Sequence, residues 1–297
     1  MAQQDKISLI EFQRKYNTEK KCEKHIIKHK WPDGYICEKC QHTEFYYIAT
    51  RKHYQCKFCG YQESITANTV MHKTHVPLVK WFWAIYLIVT DKRGISALAF
   101  MKQSGVAYNT AWKMFHKIRE IMENRDEKYQ LSRIVEVDEA YFGGPDNSLK
   151  RGRGTSKSKV IVAVSTNDAG DPQYAKMTIV DDLKSETMLE VIDEQIELGA
   201  AIVTDGYSIY SFLKDSEYTH VALQPDDEPV TWVHKLISNA KAFINGTFHG
   251  LGTKHLQKYL SEFCYRFNRR FWEPQLFNRL IDICSMGNPL KFPELVK

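Results

Sequence analysis

The sequence predicts a multidomain α+β protein, and three features of the 297-residue chain lead to that prediction. Four cysteines near the N-terminus have the spacing of a small metal-binding module. The middle of the chain is rich in amphipathic helical patterns. The remainder begins with apolar strands and then alternates strands with helices, which indicates an α/β domain around a mixed sheet. We therefore divide the chain into a helical lead-in, a cysteine module, a helical region, an α/β domain and a tail: 1–30, 31–74, 75–128, 129–284 and 285–297.

The N-terminal module is defined by four cysteines in the pattern C-x2-C-x15-C-x2-C: Cys37, Cys40, Cys56 and Cys59. Each pair falls on a turn, and residues 45–48 and 53–55 between the pairs predict a short hairpin. Two thiolates from each turn can bind one Zn²⁺ tetrahedrally, so the spacing predicts a structural zinc ribbon of the kind that grips nucleic acid. Two disulfides or four buried thiols are the alternatives.

Two helices joined by a short glycine turn are predicted in the helical region, with the turn at residues 104–106. This layout is typical of a helix-turn-helix. Asn109 and Thr110 fall at the start of the second helix, where such motifs contact bases or phosphates. Helical hairpins of this outline also occur in proteins that never touch DNA, but the neighbouring ribbon favours DNA binding.

Composition and charge limit the class of protein. The net charge of +5 permits a polyanionic partner without demanding one. The most apolar stretch, residues 81–89, is too short to cross a bilayer, and the N-terminus lacks a signal-peptide pattern. Three cysteines stand outside the tetrad without an obvious partner, which suits a reducing cytosol: Cys22, Cys264 and Cys284. We expect a cytoplasmic protein that does not bind membranes.

Two acids end apolar strands in the α/β domain. Asp138 follows Val-Glu-Val, and Asp205 follows Ile-Val-Thr and precedes Gly206. Open α/β sheets keep their sites at the carboxyl ends of strands. Two converging carboxylates repel unless a cation lies between them, and Mg²⁺ (or Mn²⁺) prefers oxygen ligands. Such ions promote phosphodiester chemistry, which makes both acids candidate catalytic metal ligands. Each could instead be an ordinary turn residue.

A basic loop follows the first acid. Residues 150–159 contain five basic residues, no acids and two glycines. Beside an active site they would neutralise phosphates and make binding strongly salt-dependent. The candidate DNA contacts are Lys150, Arg151, Arg153 and Lys157. A solvated hairpin loop is the alternative interpretation.

Four segments carry a resemblance to a known family. Residues 137–144 resemble the D-E-x-Y-x-G-G signature of bacterial insertion-sequence transposases, in the branch with an N-terminal zinc ribbon. Residues 204–210 resemble the family's second-acid motif, 234–241 the third, and 246–270 its C-terminal block. The resemblance implies a ribonuclease-H-like catalytic domain that uses an acidic triad and a divalent metal.

The third position departs from the commonest form of the family, which has Glu. The resemblance is to the Asp-Asp-Asn-Lys variant, with Asn239 and Lys241 in the third motif. An amide oxygen can coordinate Mg²⁺ but carries no charge, and the lysine could contact a DNA phosphate. His234, seven residues before Lys241, is the rival candidate for the third position.

The resemblance implies a DNA transposase. Such an enzyme binds the terminal inverted repeats of its element, cleaves at the element ends and joins the 3′-OH to target DNA. It implies double-stranded DNA as partner, a homodimer or larger assembly, and a place at the bacterial nucleoid. The uncharged third position leaves a second reading, a catalytically decayed zinc-ribbon regulator that still binds DNA. A metal nuclease that processes RNA or DNA junctions is a third.

Overall fold

The computed structural model describes residues 7–143, 157–223, 231–249 and 251–286. They fall into two compact units, Met1–Ile121 with Trp272–Lys297 and Met122–Phe271. Within the described residues, none of the helices combines the length and apolar character needed to span a membrane.

In the described part, the helices are α1 (Leu9–Lys15), α2 (Glu19–Lys30), α3 (Leu78–Thr90), α4 (Ala97–Ser104), α5 (Tyr108–Asp126), α6 (Ser185–Gln195), α7 (Thr231–Thr247), α8 (Thr253–Phe267) and α9 (Leu276–Met286). The strands are β1 (Phe45–Ile48), β2 (His53–Cys56), β3 (Gln62–Ser64), β4 (Ile134–Phe142), β5 (Ser158–Thr166), β6 (Pro172–Val180), β7 (Ala201–Asp205) and β8 (Thr219–Leu223). Two 3-10 helices cover Ser208–Asp215 and Arg270–Gln275.

The first unit contains the ribbon. Strands β1, β2 and β3 form an antiparallel sheet in that order. The hairpin predicted from the residues between the cysteine pairs is confirmed, and β3 adds a strand that the pattern did not reveal.

An aromatic cluster holds the helices of the first unit. The ring of Phe12 stacks on Tyr86 with centroids 4.3 Å apart and meets Phe277 edge-on at 5.5 Å. Phe12 is completely buried. Helix α9 thereby packs against α2 and α3 in this unit. The sequence predicted that residues up to 284 belong to the α/β domain, because the apolar pattern of α9 resembles that of the helix before it.

A proline separates α8 from α9. The apolar pattern of residues 255–282 by itself predicts one continuous helix, and that prediction is wrong. Pro274 has no N–H to donate, and the backbone of Trp272 leaves the helical region with φ −115° and ψ 31°.

Helices α4 and α5 occupy the segment for which the sequence predicts a helix-turn-helix. The motif itself stays a prediction. The Ser96 side chain accepts a hydrogen bond from the Ala99 N–H at 3.1 Å and starts α4. Gly105 ends the helix in the left-handed conformation, with φ 69°. Asn109 and Thr110 belong to the first turn of α5. Their role in DNA binding stays a prediction.

The second unit is built on a mixed five-stranded sheet in the order β6-β5-β4-β7-β8. Strand β4 is central, antiparallel to β5 and parallel to β7. Strands β5 and β6 form an antiparallel hairpin. Helices α7 and α8 cover one face of the sheet, and α6 with the 3-10 helix Ser208–Asp215 covers the other. Alternate residues of β4 therefore face opposite layers.

Candidate metal centres and catalytic site

The four cysteines of the ribbon converge on one point. The sulfur atoms of Cys37 and Cys59 are 3.6 Å apart, and those of Cys40 and Cys56 are 3.5 Å apart. All four sulfurs lie within 4.8 Å of one another. A tetrahedral site with Zn–S bonds of 2.3 Å has sulfurs about 3.8 Å apart. Disulfides have an S–S distance of about 2.05 Å, so this cluster fits a structural zinc ion.

Two equivalent turns aim these sulfurs. After the first pair, Gln41 takes φ 62° and donates its N–H to the Cys37 carbonyl at 2.9 Å. After the second pair, Gly60 takes φ 71° and donates to the Cys56 carbonyl at 3.1 Å. Burial raises the pKa of Cys37, but N–H donors from Cys40 and Lys39 outweigh it and bring the pKa down to about 7. This favours the thiolate form of Cys37. The N–H of His42 lowers the pKa of Cys40, but burial and the thiols of Cys59, Cys56 and Cys37 outweigh it and raise that pKa to about 12.

The parallel pairing of β4 and β7 brings Asp138 and Asp205 to one face of the sheet. Glu136 of β4 pairs with Val203 of β7 in parallel register. Each aspartate lies two residues further along its strand, and residues two apart on a strand point to the same face. The structure thus brings the two carboxylates to the face covered by α7. Asp205 ends β7, but the prediction that Asp138 ends its strand is wrong, because β4 continues to pair with β5 as far as Phe142 and Asp138 lies in the middle of it.

The environment of Asp138 suits a divalent cation. Burial raises the pKa of this carboxyl to about 6, and the charges of Glu139 and Asp205 act in the same direction. The charge of His234 opposes the shift, with its Nε2 atom 3.2 Å from Asp138 Oδ2. A carboxylate with so high a pKa is short of positive charge. Oxygen ligands with excess negative charge are what Mg²⁺ or Mn²⁺ requires, so the residues present fit such an ion.

Helix α7 presents His234 and Lys241 on the same flank, because residues seven apart lie almost two full turns from each other. Lys241 is half-buried, and burial together with the charge of Lys157 lowers its pKa. Its Nζ atom is 5.6 Å from the centre of the Phe142 ring. Lys241 therefore lies near the carboxyl end of β4, where the charge of Asp138 still acts on it.

Asn239 lies on a different part of α7. Five residues separate it from His234, which corresponds to about 140° around the helix. Asn239 is exposed, and residues two apart on a helix, such as Asn239 and Lys241, do not share a face. The neighbour that the structure gives to Asp138 is His234, and the assignment of Asn239 as a metal ligand stays a prediction.

Glu136 positions α7 and was missed by sequence reasoning. Its Oε2 atom accepts hydrogen bonds from the N–H groups of Trp232 and Val233, both at 2.8 Å. Those groups belong to the first turn of α7, whose N–H groups have no partner within the helix. The only signal in the sequence was that Glu136 lies two residues before Asp138 and shares its face.

Glu139 points away from the site although it follows Asp138. Tyr210, on the opposite layer, donates its hydroxyl hydrogen to Glu139 Oε2 at 2.8 Å. Burial raises the pKa of Tyr210, and the charge of Glu139 adds to the effect. The Glu139 side chain is thus held by a neutral donor in the other layer, and the residue acts on Asp138 through its charge and through its backbone N–H, which donates to Asp138 Oδ1 at 2.8 Å.

The predicted DNA contacts are spread over the chain. Asn109 is exposed and Thr110 half-buried in the first turn of α5. Lys157 is half-buried, and its charge acts on Lys241. The other three basic candidates lie outside the described residues: Lys150, Arg151 and Arg153.

Comparison with known proteins identifies two family domains. Residues 130–268 match the ISXO2-like transposase domain, and residues 17–62 match the transposase zinc-ribbon domain. A relative described as an uncharacterized protein in transposable element ISH50 of Halobacterium salinarum is 24% identical over 203 residues, covering 63% of this chain and 67% of that protein. A solved structure of the Mos1 transposase paired-end complex with left transposon end is similar over 71% of this chain and 80% of that chain, at 11% identity and a TM-score of 0.28.

Proposed function

The chain belongs to the family of ISXO2-like transposases with a transposase zinc ribbon, and we propose that it moves its own element by metal-dependent DNA chemistry. In this function it binds the terminal inverted repeats, cleaves at the element ends and joins the 3′-OH to target DNA. The observation that carries the proposal is the placement of Asp138, in the middle of β4, and Asp205, at the end of β7, on the face beside α7, where the charge of Asp205 acts on Asp138.

The catalytic domain in this proposal is ribonuclease-H-like. Three strands in an antiparallel meander, β4 to β6, are followed by β7 and β8, which add in parallel on the other side of β4. Helices cover both faces of the sheet. The resulting strand order and the two acids on one face of the central strand pair support this assignment.

Asp138 and Asp205 would hold the metal, with His234 as the third ligand. A bound Mg²⁺ or Mn²⁺ supplies positive charge that activates the attacking oxygen and stabilises the leaving oxygen. Water attacks the phosphorus at the element end and displaces the 3′-oxygen. The freed 3′-oxygen then attacks target DNA, displacing a target 3′-oxygen and leaving no covalent bond to protein. Lys241 neutralises a phosphate near this site.

DNA recognition falls to the first unit in this proposal. The first turn of α5 exposes Tyr108 and Asn109, and an exposed helix N-terminus favours phosphate binding. In the ribbon, the second cysteine turn exposes Phe58 by 78% next to the exposed Lys57. Because two element ends must be joined, a dimer or larger assembly on double-stranded DNA is part of the proposal.

The test is strand transfer with pre-cut duplexes that carry the sequences flanking the coding region, in Mg²⁺ or Mn²⁺. Asp138→Asn and Asp205→Asn should each abolish transfer, by at least about 10³-fold, while end binding measured by gel shift survives. Asp168→Asn, an exposed acid in the β5–β6 hairpin, is the matched control and should transfer normally. Transfer by either active-site variant at the wild-type rate would refute the assignment.

The same assay separates the decayed regulator from the enzyme. A regulator would shift the end duplexes but give no strand transfer with either metal in the wild-type protein. The strand-transfer assay also compares the two candidates for the third metal ligand. His234→Ala should reduce strand transfer far more than Asn239→Ala. The reverse order would return the third position to Asn239, as the family resemblance predicted.

A further inference from the structure

A second cluster of metal-ligating side chains lies in the first unit, away from the cysteines. His25 and His29 occupy successive turns of one face of α2, and Asp282 faces them from α9. One ligand atom from each lies within 4.8 Å of the other two. Two histidines four residues apart on a helix are a recurrent way to bind zinc.

The distances within this cluster suit a metal ion. Asp282 Oδ1 is 3.0 Å from His29 Nε2 and 3.7 Å from His25 Nε2. Ligands bound tetrahedrally at about 2.0 Å from zinc are about 3.3 Å apart. The observed distances lie on either side of that value.

Hydrogen bonding leaves the facing atoms unsatisfied. His25 Nε2 and Asp282 Oδ1 are buried and have no hydrogen-bond partner. A buried polar atom in that condition costs about 1–3 kcal/mol. A cation between them would remove the cost for both atoms at once, whereas the 3.0 Å approach of His29 Nε2 does not satisfy Asp282 Oδ1.

Tyr16 supplies an outer partner. Its hydroxyl oxygen is 3.2 Å from His25 Nδ1. When Nδ1 carries the proton and donates it to that oxygen, the lone pair of Nε2 points toward Asp282. Histidines that bind metal usually donate their other ring N–H in this manner, which fixes the tautomer and the ring orientation.

We infer that His25, His29 and Asp282 form a second zinc-type site, which ties α2 to α9 within the first unit. Imidazole and carboxylate ligands suit Zn²⁺ and its transition-metal neighbours better than Mg²⁺. Three protein ligands leave one position for water. The site is chemically distinct from the thiolate cluster of the ribbon and independent of the catalytic proposal.

Equilibrium dialysis against Zn²⁺ tests this site. The full chain is used with Asp138→Asn and Asp205→Asn, so that the acid pair does not add an equivalent of its own. We expect two zinc equivalents per chain in this background, and one after adding His29→Gln. Asp282→Asn should likewise reduce the bound zinc to one equivalent. His75→Gln replaces an exposed histidine of the same unit and should retain two zinc equivalents.

Folding is checked in every variant by circular dichroism and by the equivalent that the cysteines retain. Tyr16→Phe should keep two equivalents but weaken the second about 10- to 100-fold, as loss of an outer hydrogen bond does elsewhere. A single equivalent in the background protein, or two in folded His29→Gln, would overturn the inference.

Discussion

The zinc ribbon and the acid pair hold their ligands in opposite ways. The ribbon collects four thiolates from two turns that are close in sequence, each closed by its own backbone hydrogen bonds. The acid pair takes one carboxylate from β4 and another from β7, which are 67 residues apart and meet only because the strands are neighbours. The first site depends on its metal for its structure, whereas the second is held by the sheet whether or not a metal is bound.

The largest expected effect tests the first half of this comparison. Cys56→Ser should remove the zinc equivalent of the ribbon and unfold the ribbon, because structural zinc contributes about 10 kcal/mol or more to folding in small modules. Zinc content and the amide spectrum of residues 31–74 provide the measurement. Cys22→Ser removes a buried thiol outside the tetrad and should keep both. Loss of the ribbon's zinc equivalent in both variants would contradict the assignment of ligands.

The second prediction concerns the acid pair without metal. The pKa of Asp138 is about 6 in the folded protein, above its ordinary 3.8. Between pH 3.8 and about 6 the unfolded chain therefore loses its proton before the folded protein does, so the free energy of unfolding falls as the pH rises through this range. In EDTA at pH 7.5, Asp138→Asn should therefore be more stable than wild type by about 2–3 kcal/mol, and the difference should vanish near pH 3.5.

Urea denaturation at both pH values measures this difference. Saturating Mn²⁺ should stabilise the wild type at pH 7.5 and leave Asp138→Asn unchanged, because the amide variant lacks the ligand charge. Asp168→Asn controls for loss of an exposed acid. If Asp138→Asn is less stable than wild type in EDTA at pH 7.5, the carboxylate is not under electrostatic strain.

The third prediction concerns the helix that completes the acid site. Glu136→Ala removes the acceptor for two N–H groups of α7 and should cost about 1–2 kcal/mol. The matched control is Glu186→Ala, an exposed acid in the first turn of α6, which should cost less. Equal costs in denaturation would show that Glu136 does not hold α7.

The smallest effect concerns the ribbon turns. Gln41 occupies a left-handed position that its counterpart Gly60 fills without strain. Gln41→Gly should stabilise the zinc-bound chain by about 0.5 kcal/mol, the relief of strain less the added flexibility of glycine. Gln62→Gly, in β3, should destabilise it instead. A destabilised Gln41→Gly variant would contradict the equivalence of the two turns.

Local features were predictable from the sequence. The sequence predicts the cysteine cluster, the hairpin of β1 and β2, and the strand that ends at Asp205, because each depends on residues near one another in the chain. The glycine at 105 and the serine at 96 marked the ends of α4 for the same reason. Each depends on backbone preferences that act over a few residues.

Features that depend on tertiary packing were not predictable. The contact between His234 and Asp138 follows from how α7 crosses the sheet, which Glu136 fixes from 96 residues away. The position of α9 depends on aromatic packing with Phe12 and Tyr86 at the other end of the chain. The family motif favoured Asn239, and only the turn of the helix shows that it faces away from Lys241.

The central claim is that Asp138 and Asp205 share one divalent cation. An anomalous difference map from crystals of the chain with Mn²⁺ tests it most directly. The account predicts a peak at roughly 2.1 Å from an oxygen of each carboxylate, with His234 and not Asn239 as the next protein ligand. A peak bound to only one of the two aspartates, or no peak beside either of them, would contradict it.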